Sequence, residues 1–561
     1  MLSFTTRSIG DHIYPSNWQE ILFTIEVLNH YTPKWPPKGN KTGGIRMLSS
    51  ILSRHANTQP DKVAIISDDG RLTYREFKEE AERVATFLLG HGLNPGDDAV
   101  LIARNSVDFP IAFMALQRLG AVIHLWNYRQ PPENLKSLTN TVPIKAFVTS
   151  PEFGGLLPRT ESIMEFVPAP PGQPWSVRSH APSPAVPAPT LPPVSRRIDD
   201  PSSVIFTSGT TGVPKGAAYT HLSQVTSAVQ YALEMGLTPD SRGLSAAPLV
   251  HGAALNFWLA FLLLGSTFVF DGRYRPENII NLLQEYKVSE LMTVPTQVRE
   301  LTSVASSVGF QPGHLRFIRM GGSSYEASLI HEARDAFGCE MINTYGMTEN
   351  CSNTTIMNTI NTPEKSWTSI GRPTHFWDLR LISISADGPA SPDDEVPPGE
   401  RGQIIVRGPQ QISSYYTGVD DGLCIKNGWF FTRDVAVRDR DGYLTIVDRL
   451  DEVIISGAEN IYPLEVETVL RQHPGVEDVA VLGLPDSHWG EIVVACVVTN
   501  HSTKIAELDS LFLESKTVAP FKRPRKYALV DSIPRNAFGK VDRKMLKSLV
   551  LEALRMSNEV C

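Results

Sequence analysis

The sequence predicts an α/β protein built in two parts. The first is a large N-terminal domain of layered α/β subdomains with a small β-barrel-like portion, residues 1–449. The second is a small α+β C-terminal domain, residues 450–561. Three observations carry this expectation. Strand-like and helix-like segments alternate from Lys62 onward, the pattern of layered α/β units. From Gly399 to Val447 the pattern turns to short strands separated by Gly and Pro turns. After Arg449, strands and helices mix again over roughly 110 residues, enough to bury a separate core.

In chain order, Lys62 to Ser67 reads as a strand and Thr73 to Leu89 has helical spacing of apolar residues. Asp98 to Ala103 follows as a strand, Val107 to Leu119 as a helix and Ala121 to Leu125 as a strand. Ten prolines then fall between Pro168 and Pro193. Proline lacks the amide hydrogen and fixes φ, so this stretch is expected to hold neither a helix nor a strand ladder and to run as an extended surface linker. The alternation resumes with strand Val204 to Thr207, helix Leu222 to Met235, strand Leu291 to Val294 and helix Tyr325 to Phe337. Ala253 to Phe270 is uncharged for 18 residues, close to a bilayer's span. Gly265-Ser266-Thr267 interrupts it, so it reads as a buried helix followed by a short core strand from Ser266 to Phe270, not as a membrane segment. Gln403 to Arg407 and Tyr443 to Val447 are strands. The final part contains the elements Glu467 to Gln472, Val476 to Leu482, Glu491 to Val498 and Ala506 to Val518.

Composition narrows the function. The chain has 561 residues, 42% hydrophobic and 20% charged, ordinary globular usage. Lys and Arg number 52 against 60 Asp and Glu, a net charge of −8, which suits a nucleic-acid backbone poorly. Five cysteines with no CxxC pair supply neither a disulfide framework nor a zinc site, and fit a reducing, cytoplasmic compartment. Met1 to Gly10 carries no acid and weakly resembles a mitochondrial presequence; an ordinary extension is the preferred reading.

The segment Thr207-Ser208-Gly209-Thr210-Thr211-Gly212-Val213-Pro214-Lys215-Gly216 directly follows a strand. Its glycines let the backbone approach a ligand, and its hydroxyls and Lys215 offer donors to anionic oxygens, a combination suited to a polyphosphate. It is not a Walker A loop, because Pro214 stands where that loop needs Gly. The segment resembles the phosphate loop of the adenylate-forming superfamily, which includes AMP-dependent acyl-CoA synthetases and aryl-CoA ligases. Further motifs follow in that superfamily's order, from about Leu72 to Lys540.

Gly321-Gly322-Ser323-Ser324 is similar to the turn that lies against adenine. Asn343-Thr344-Tyr345-Gly346-Met347-Thr348-Glu349 resembles the next motif, which implies Asn343 on the adenine edge, Tyr345 against its ring, Thr348 at the α-phosphate and Glu349 on Mg²⁺. A hard cation between phosphates wants a carboxylate oxygen, and a flat base suits an aromatic face. Gly428 to Asp434 resembles the ribose motif, with Asp434 on the ribose hydroxyls, although Arg433 stands where relatives commonly have Gly. Asp448-Arg449-Leu450-Asp451-Glu452 resembles the hinge motif, which implies Arg449 at the ribose and Asp451 as pivot of a mobile C-terminal domain.

Pro534 to Lys540 resembles the catalytic-lysine motif; Lys540 would neutralise charge where a carboxylate meets the α-phosphate. Gly457, Trp489, Phe521 and Arg523 fall in segments that resemble the coenzyme A path. Pro248-Leu249-Val250-His251-Gly252 resembles the acyl-pocket segment, with His251 beside the substrate carboxylate and Phe257 in the pocket wall. No Asp stands where amino-acid-activating relatives pair with an α-amino group; Asn256 and Phe257 occupy that stretch. The resemblance therefore implies an ATP-dependent ligase, using Mg²⁺ and coenzyme A, for a fatty or aryl monocarboxylic acid, with a carrier protein as the alternative acceptor.

Overall fold

The structure is a computed structural model. It describes residues 47–558 apart from 69, 131, 159–162, 169–172, 174–175, 179–189, 192–195, 208–214, 352, 385–389, 417–423, 457–458, 487, 501–502, 515–517 and 536–540.

The chain opens with helix α1 (Met47–Thr58), strands β1 (Val63–Ser67) and β2 (Gly70–Thr73) and helix α2 (Tyr74–Gly90). Helix α2 begins where the sequence places it because Thr73 and Glu76 form a reciprocal capping box. There follow β3 (Asp98–Ile102), α3 (Asp108–Leu119), β4 (Val122–Leu125), α4 (Pro132–Thr141), β5 (Ile144–Thr149), β6 (Met164–Val167) and β7 (Ser176–Arg178). Strand β7 corrects the linker expectation: Ser176–Arg178 pairs antiparallel with Glu165–Val167. The ladder survives because these three residues are not prolines and keep their amide hydrogens.

Next come β8 (Pro201–Thr207), β9 (Lys215–Thr220), α5 (His221–Glu234), β10 (Arg242–Ser245), α6 (Gly252–Leu264) and β11 (Thr267–Phe270). The apolar run is thus a helix and a strand, as expected. Among the described residues no helix is long and apolar enough to cross a membrane. Gly265 ends α6 with φ +69, and a Cβ there would lie 2.6 Å from Nδ1 of His55 and 2.0 Å from Nε2 of Gln59. Position 265 therefore needs glycine for both conformation and space. Helix α6 is apolar on nearly every face because it is buried on nearly every face: Phe257, Trp258 and Phe261 pack edge-on against Phe268, Phe109, Phe113 and Phe270.

Helix α7 (Pro276–Glu285), β12 (Glu290–Met292), α8 (Pro295–Val308), β13 (Phe317–Gly321), α9 (Ala327–Phe337), β14 (Glu340–Tyr345), β15 (Thr355–Asn358) and β16 (Arg372–Pro373) complete the first half. Two sheets result. One has nine strands in the order β16-β15-β14-β13-β12-β10-β11-β1-β2, the other seven in the order β7-β6-β5-β3-β4-β8-β9. The run from β14 to β1 is parallel throughout, as is the run β6-β5-β3-β4-β8. Parallel neighbours end at one edge, and that edge is where ligands bind in such sheets.

Strands β17 (Asp378–Ile382), β18 (Arg401–Arg407), β19 (Ile425–Lys426), β20 (Trp429–Arg438) and β21 (Leu444–Arg449) form a five-stranded antiparallel sheet. After it come β22 (Ile454–Ser456), β23 (Glu459–Ile461), α10 (Pro463–Arg471), β24 (Val476–Asp486), β25 (Gly490–Thr499), α11 (Ile505–Glu514), β26 (Lys526–Leu529) and α12 (Arg543–Asn558). Two apolar clusters here draw only on residues beyond 450. One joins Val466, Leu470, Val481 and Phe512, and the other joins Leu482, Val494, Leu546 and Val550.

One buried charge has a measurable consequence. Glu290 on β12 is fully buried, bonded to Ser289 and Ser241 and 3.3 Å from Arg316. Burial pushes its carboxyl up to about 7, against the pull of Ser289 and Arg316. Because the folded-state value lies above the unfolded one, its stabilising contribution is complete below the unfolded value and is lost as pH rises through about 7. Glu290→Gln cannot ionise. Its urea midpoint is expected to gain on the parent's between pH 5 and pH 8.5, by the equivalent of roughly 1–3 kcal/mol. Parallel midpoints across that range would refute the assignment.

Candidate active site

Of the residues singled out from the sequence, Gly322, Ser323, Asn343, Tyr345, Gly346, Thr348 and Glu349 lie at the carboxyl edge of the nine-stranded sheet, and Asp434 and Arg449 lie on β20 and β21. Strand β13 ends in Gly321, followed by the exposed turn Gly322-Ser323, with Gly322 at φ +89. A Cβ on Gly321 would sit 2.5 Å from the Thr344 carbonyl oxygen, so the β13–β14 approach requires glycine there. Strand β14 carries Asn343 and Tyr345. Asn343 is buried and donates through Nδ2 to the Ser369 carbonyl at 3.0 Å. Its amide oxygen accepts nothing among the described residues, leaving it to an amine such as adenine's.

Tyr345 donates its hydroxyl to Oδ2 of Asp434 at 2.5 Å, and Arg449 Nη1 meets Oδ1 of the same carboxylate at 2.7 Å. Burial and the Asp434 charge raise the Tyr345 pKa well above a phenol's usual value, so it stays a donor. Asp434 and Arg449 face each other in the β20–β21 register, which is how residues 15 apart in sequence converge. A Tyr–Asp–Arg chain of this kind fixes the carboxylate's orientation.

Gly346 leads into the short turn Thr348–Asn350, which carries Thr348 and Glu349. The Asn350 side-chain oxygen holds this turn by accepting the Met347 amide at 2.7 Å. Glu349 accepts the Tyr415 hydroxyl at 2.7 Å, and its carbonyl accepts the Ile412 amide. Lys215 Nζ lies 5.6 Å from the centre of the Tyr415 ring. Thr207 and Lys215 pair directly as the last residue of β8 and the first of β9. The phosphate-loop residues Ser208, Gly209, Thr210, Thr211 and Gly212 lie outside the described residues, but both ends of their loop are thereby placed. Tyr415 was not singled out from the sequence; it sits outside every motif, and its bridge to Ala217 is a long-range contact.

His251 is the N-cap position of α6 and is half-buried. Asn127 approaches its ring at 3.5 Å, and Asn105 clamps the preceding segment by bonding the Ala247 carbonyl and the Leu249 amide, both at 2.9 Å. Neither asparagine was foreseen. Phe257 is fully buried among Tyr231, Phe261 and Phe268, and Asn256 donates to the Cys351 carbonyl at 3.2 Å.

Asp451, the expected pivot, pairs with Arg433 through Oδ1 and with Arg449 through Oδ2 at 3.6 Å. Arg433 has φ +66. The departure from Gly therefore leaves the backbone in the left-handed region, and the added side chain is used on the hinge residue. An L-residue pays roughly 1–2 kcal/mol for that conformation, while the exposed ion pair returns little. Arg433→Gly is expected to raise the urea midpoint by the equivalent of roughly 0.5–1 kcal/mol; a lowered midpoint would show the pair to dominate.

Asp448 accepts the Leu464 amide at 2.8 Å, tying the hinge strand to α10, and burial pushes its carboxyl up to about 6. Gly457 and Lys540 lie outside the described residues. Trp489 and Phe521 are 37% and 50% exposed, too open for core packing. Among the described residues no ring contact joins them. Arg525 lies 3.9 Å over the Trp489 ring, and Arg523 pairs with Asp509 at 3.4 Å.

The donor set fits a magnesium nucleotide. Glu349 is a carboxylate with no cationic partner among the described ion pairs, held next to Thr348 at the sheet edge. Magnesium takes one or two carboxylates and completes its shell with phosphates and water. The Asn343 amide oxygen, the Tyr345 ring and the Asp434 carboxylate offer an acceptor, a flat face and a ribose partner in sequence along the edge.

The family model described as AMP-binding enzyme matches residues 52–416, and the one for the AMP-binding enzyme C-terminal domain matches residues 465–540. The 2-succinylbenzoate–CoA ligase of Bacillus licheniformis is 31% identical over 501 residues, covering 88% of this chain and 98% of the relative. A feruloyl-CoA synthase of Amycolatopsis is 32% identical over 496 residues, covering 88% and 97%. Among solved structures, Bacillus subtilis o-succinylbenzoate CoA synthetase with its acyl-adenylate intermediate superposes with a TM-score of 0.76 at 27% identity, over 89% of this chain and 97% of that one. Its complex with ATP and magnesium gives 0.76 at 26%, over 89% and 99%. With both family models matched in order along it, the chain belongs to the AMP-binding enzyme family.

Proposed function

We propose that the protein is an ATP-dependent carboxylic acid:CoA ligase acting on an acid without an α-ammonium group, of aryl or fatty type. In the first half-reaction a carboxylate oxygen attacks the α-phosphorus of ATP and pyrophosphate leaves. In the second, the thiol sulfur of coenzyme A, its proton lost, attacks the acyl carbon and AMP leaves. The observation that carries this reading is the Tyr345–Asp434–Arg449 chain beside buried Asn343, which holds a nucleoside in one orientation. Magnesium, when bound, draws charge from the phosphate oxygens. Glu349 supplies its protein ligand, and Thr348 and Lys215 face the phosphates. His251, at the head of α6, positions the acid's carboxylate.

Residues 1–449 form the part that binds nucleotide and acid in this reading, and residues 450–561 the part that turns about Asp451. Lys540 enters for adenylation and withdraws for thioester formation, when Gly457, Trp489, Phe521 and Arg523 face coenzyme A. One site serving two chemistries requires two arrangements of its walls. The compartment goes with the free cysteines: Cys339, Cys351, Cys424 and Cys496 are unpaired thiols, in keeping with a reducing, intracellular setting. Met1 to Gly10 lies outside the described residues.

Acid-dependent pyrophosphate release, screened over aryl and short-, medium- and long-chain acids and followed by thioester analysis with coenzyme A, tests the proposal. Release followed by acyl-CoA supports it. Release with transfer only to a carrier protein's thiol would replace coenzyme A as acceptor, and no release with any acid would refute ligase activity.

A further inference from the structure

Tyr415 lies between β18 and β19, outside every motif singled out from the sequence, yet it touches two of the charged groups assigned to the nucleotide. Its hydroxyl donates to Oε1 of Glu349 at 2.7 Å, and Nζ of Lys215 stands 5.6 Å from the centre of its ring. Glu349 follows β14 of the nine-stranded sheet, and Lys215 opens β9 of the seven-stranded sheet. One side chain therefore meets a carboxylate from one sheet and an ammonium from the other. Among the described residues no ion pair joins Lys215 to Glu349, and Oε2 of Glu349 makes no hydrogen bond.

The chain around Tyr415 is pinned to both sides. Ala217 bridges to Tyr415 itself, and the Tyr416 amide donates to the Gly216 carbonyl at 2.7 Å. The Ile412 amide donates to the Glu349 carbonyl at 2.9 Å. The Tyr416 hydroxyl donates to Oδ1 of Asp98 at 2.8 Å, and buried His124 meets the same oxygen at 2.7 Å. Tyr415 is thus tied to the strand that carries Lys215, and its segment to the turn that carries Glu349. The ring is set between the two charged groups by bonds that depend on neither charge.

The choice of a phenol has a chemical consequence. A lysine or arginine in its place would orient the carboxylate and also neutralise it. A neutral hydroxyl fixes one carboxylate oxygen by a charge-assisted hydrogen bond and leaves the negative charge in place. The ring face attracts the ammonium. Away from bulk water a carboxylate and an ammonium at contact distance attract strongly, and their pairing would withdraw both from a ligand.

We infer that Tyr415 is a positioning residue. It holds Oε1 of Glu349 so that Oε2 is left for the cation of a magnesium nucleotide, and its ring keeps the Lys215 ammonium for the phosphates instead of for Glu349. This rests on the ligase reading, in which Glu349 is the metal ligand and Lys215 faces the phosphates.

The test measures binding to the full-length protein without acid, so that no turnover enters. Calorimetry gives the affinity of a non-hydrolysable ATP analogue with saturating Mg²⁺ and with EDTA, and the affinity of AMP. Tyr415→Phe keeps the ring and loses the hydroxyl. It is expected to weaken binding of the Mg²⁺ complex about 10-fold, the loss of one hydrogen bond to a charged group, while the metal-free analogue and AMP bind as in the parent. Tyr415→Leu also loses the ring and is expected to weaken the metal-free analogue as well, because Lys215 can then turn to Glu349. Glu349→Gln is the reference for the metal ligand. If the Mg²⁺ complex binds more weakly to Glu349→Gln but unchanged to Tyr415→Phe, the inference is overturned and the ligase reading stands. If AMP and the Mg²⁺ complex weaken together in Tyr415→Phe, the tyrosine is merely structural and the inference is again overturned. If Glu349→Gln binds the Mg²⁺ complex as the parent does, the assignment of Glu349 to the metal falls first.

Discussion

Lys540→Ala is expected to lower acid-dependent pyrophosphate release by about 10²–10³-fold, the cost of removing one preorganised donor from a developing charge. Thioester formation from a supplied acyl-adenylate should be largely spared. The argument is electrostatic. In adenylation two anions, the acid and the α-phosphate, must come within bonding distance, and one ammonium between them offsets their repulsion. Thioester formation joins a sulfur nucleophile to an already activated carbonyl and needs no such bridge. Lys540 itself lies outside the described residues, but the residues flanking it are held together. Arg535 and Val541 pair across it, the Asp542 amide reaches the Pro534 carbonyl at 2.8 Å, and Arg535 is anchored on Asp478 at 2.7 Å. Equal losses in both half-reactions would remove Lys540 from its assigned step.

Asp434→Ala is expected to have the next largest effect, reducing kcat/KM for ATP by about 10²-fold. Two charge-assisted hydrogen bonds to a ribose would be lost, each worth roughly 1.5–3 kcal/mol. The truncation also strands Arg449, which would face Asp451 alone, and leaves the buried Tyr345 hydroxyl without its acceptor. The loss should appear in the KM for ATP more than in that for the acid. Tyr345→Phe removes only one prop of the carboxylate and should cost less. An unchanged KM for ATP in Asp434→Ala would dissociate this carboxylate from the nucleotide.

The order of strands and helices was legible because the alternation of apolar residues and the turn signals agree locally. Thr73 and Glu76 mark a helix start, and Gly265 ends the apolar helix, without help from tertiary structure. The residues proposed to face the nucleotide were singled out because each sits in a contiguous motif on or just after a strand. The residues that escaped notice act across sequence. Tyr415 reaches Glu349 from 66 positions away, and Asn105 holds a segment 142 positions on. No local pattern marks such partners. The proline stretch was misread for the opposite reason: composition over 26 residues concealed three that are free to pair.

Arg449 touches the carboxylate proposed for ribose, Asp434, and the one proposed as hinge, Asp451, with the two ends of one guanidinium. Arg433, beside Asp434 in sequence, holds the same hinge residue. In the proposed reading, nucleotide and hinge therefore compete for, or share, one set of charges. Thermodynamic linkage makes that coupling symmetric. If the bound nucleotide favours one orientation of the C-terminal part by some factor, that orientation raises nucleotide affinity by the same factor. The order of events, ATP in before the turn and AMP out after it, can then be written into a few ion pairs rather than into any separate signalling element.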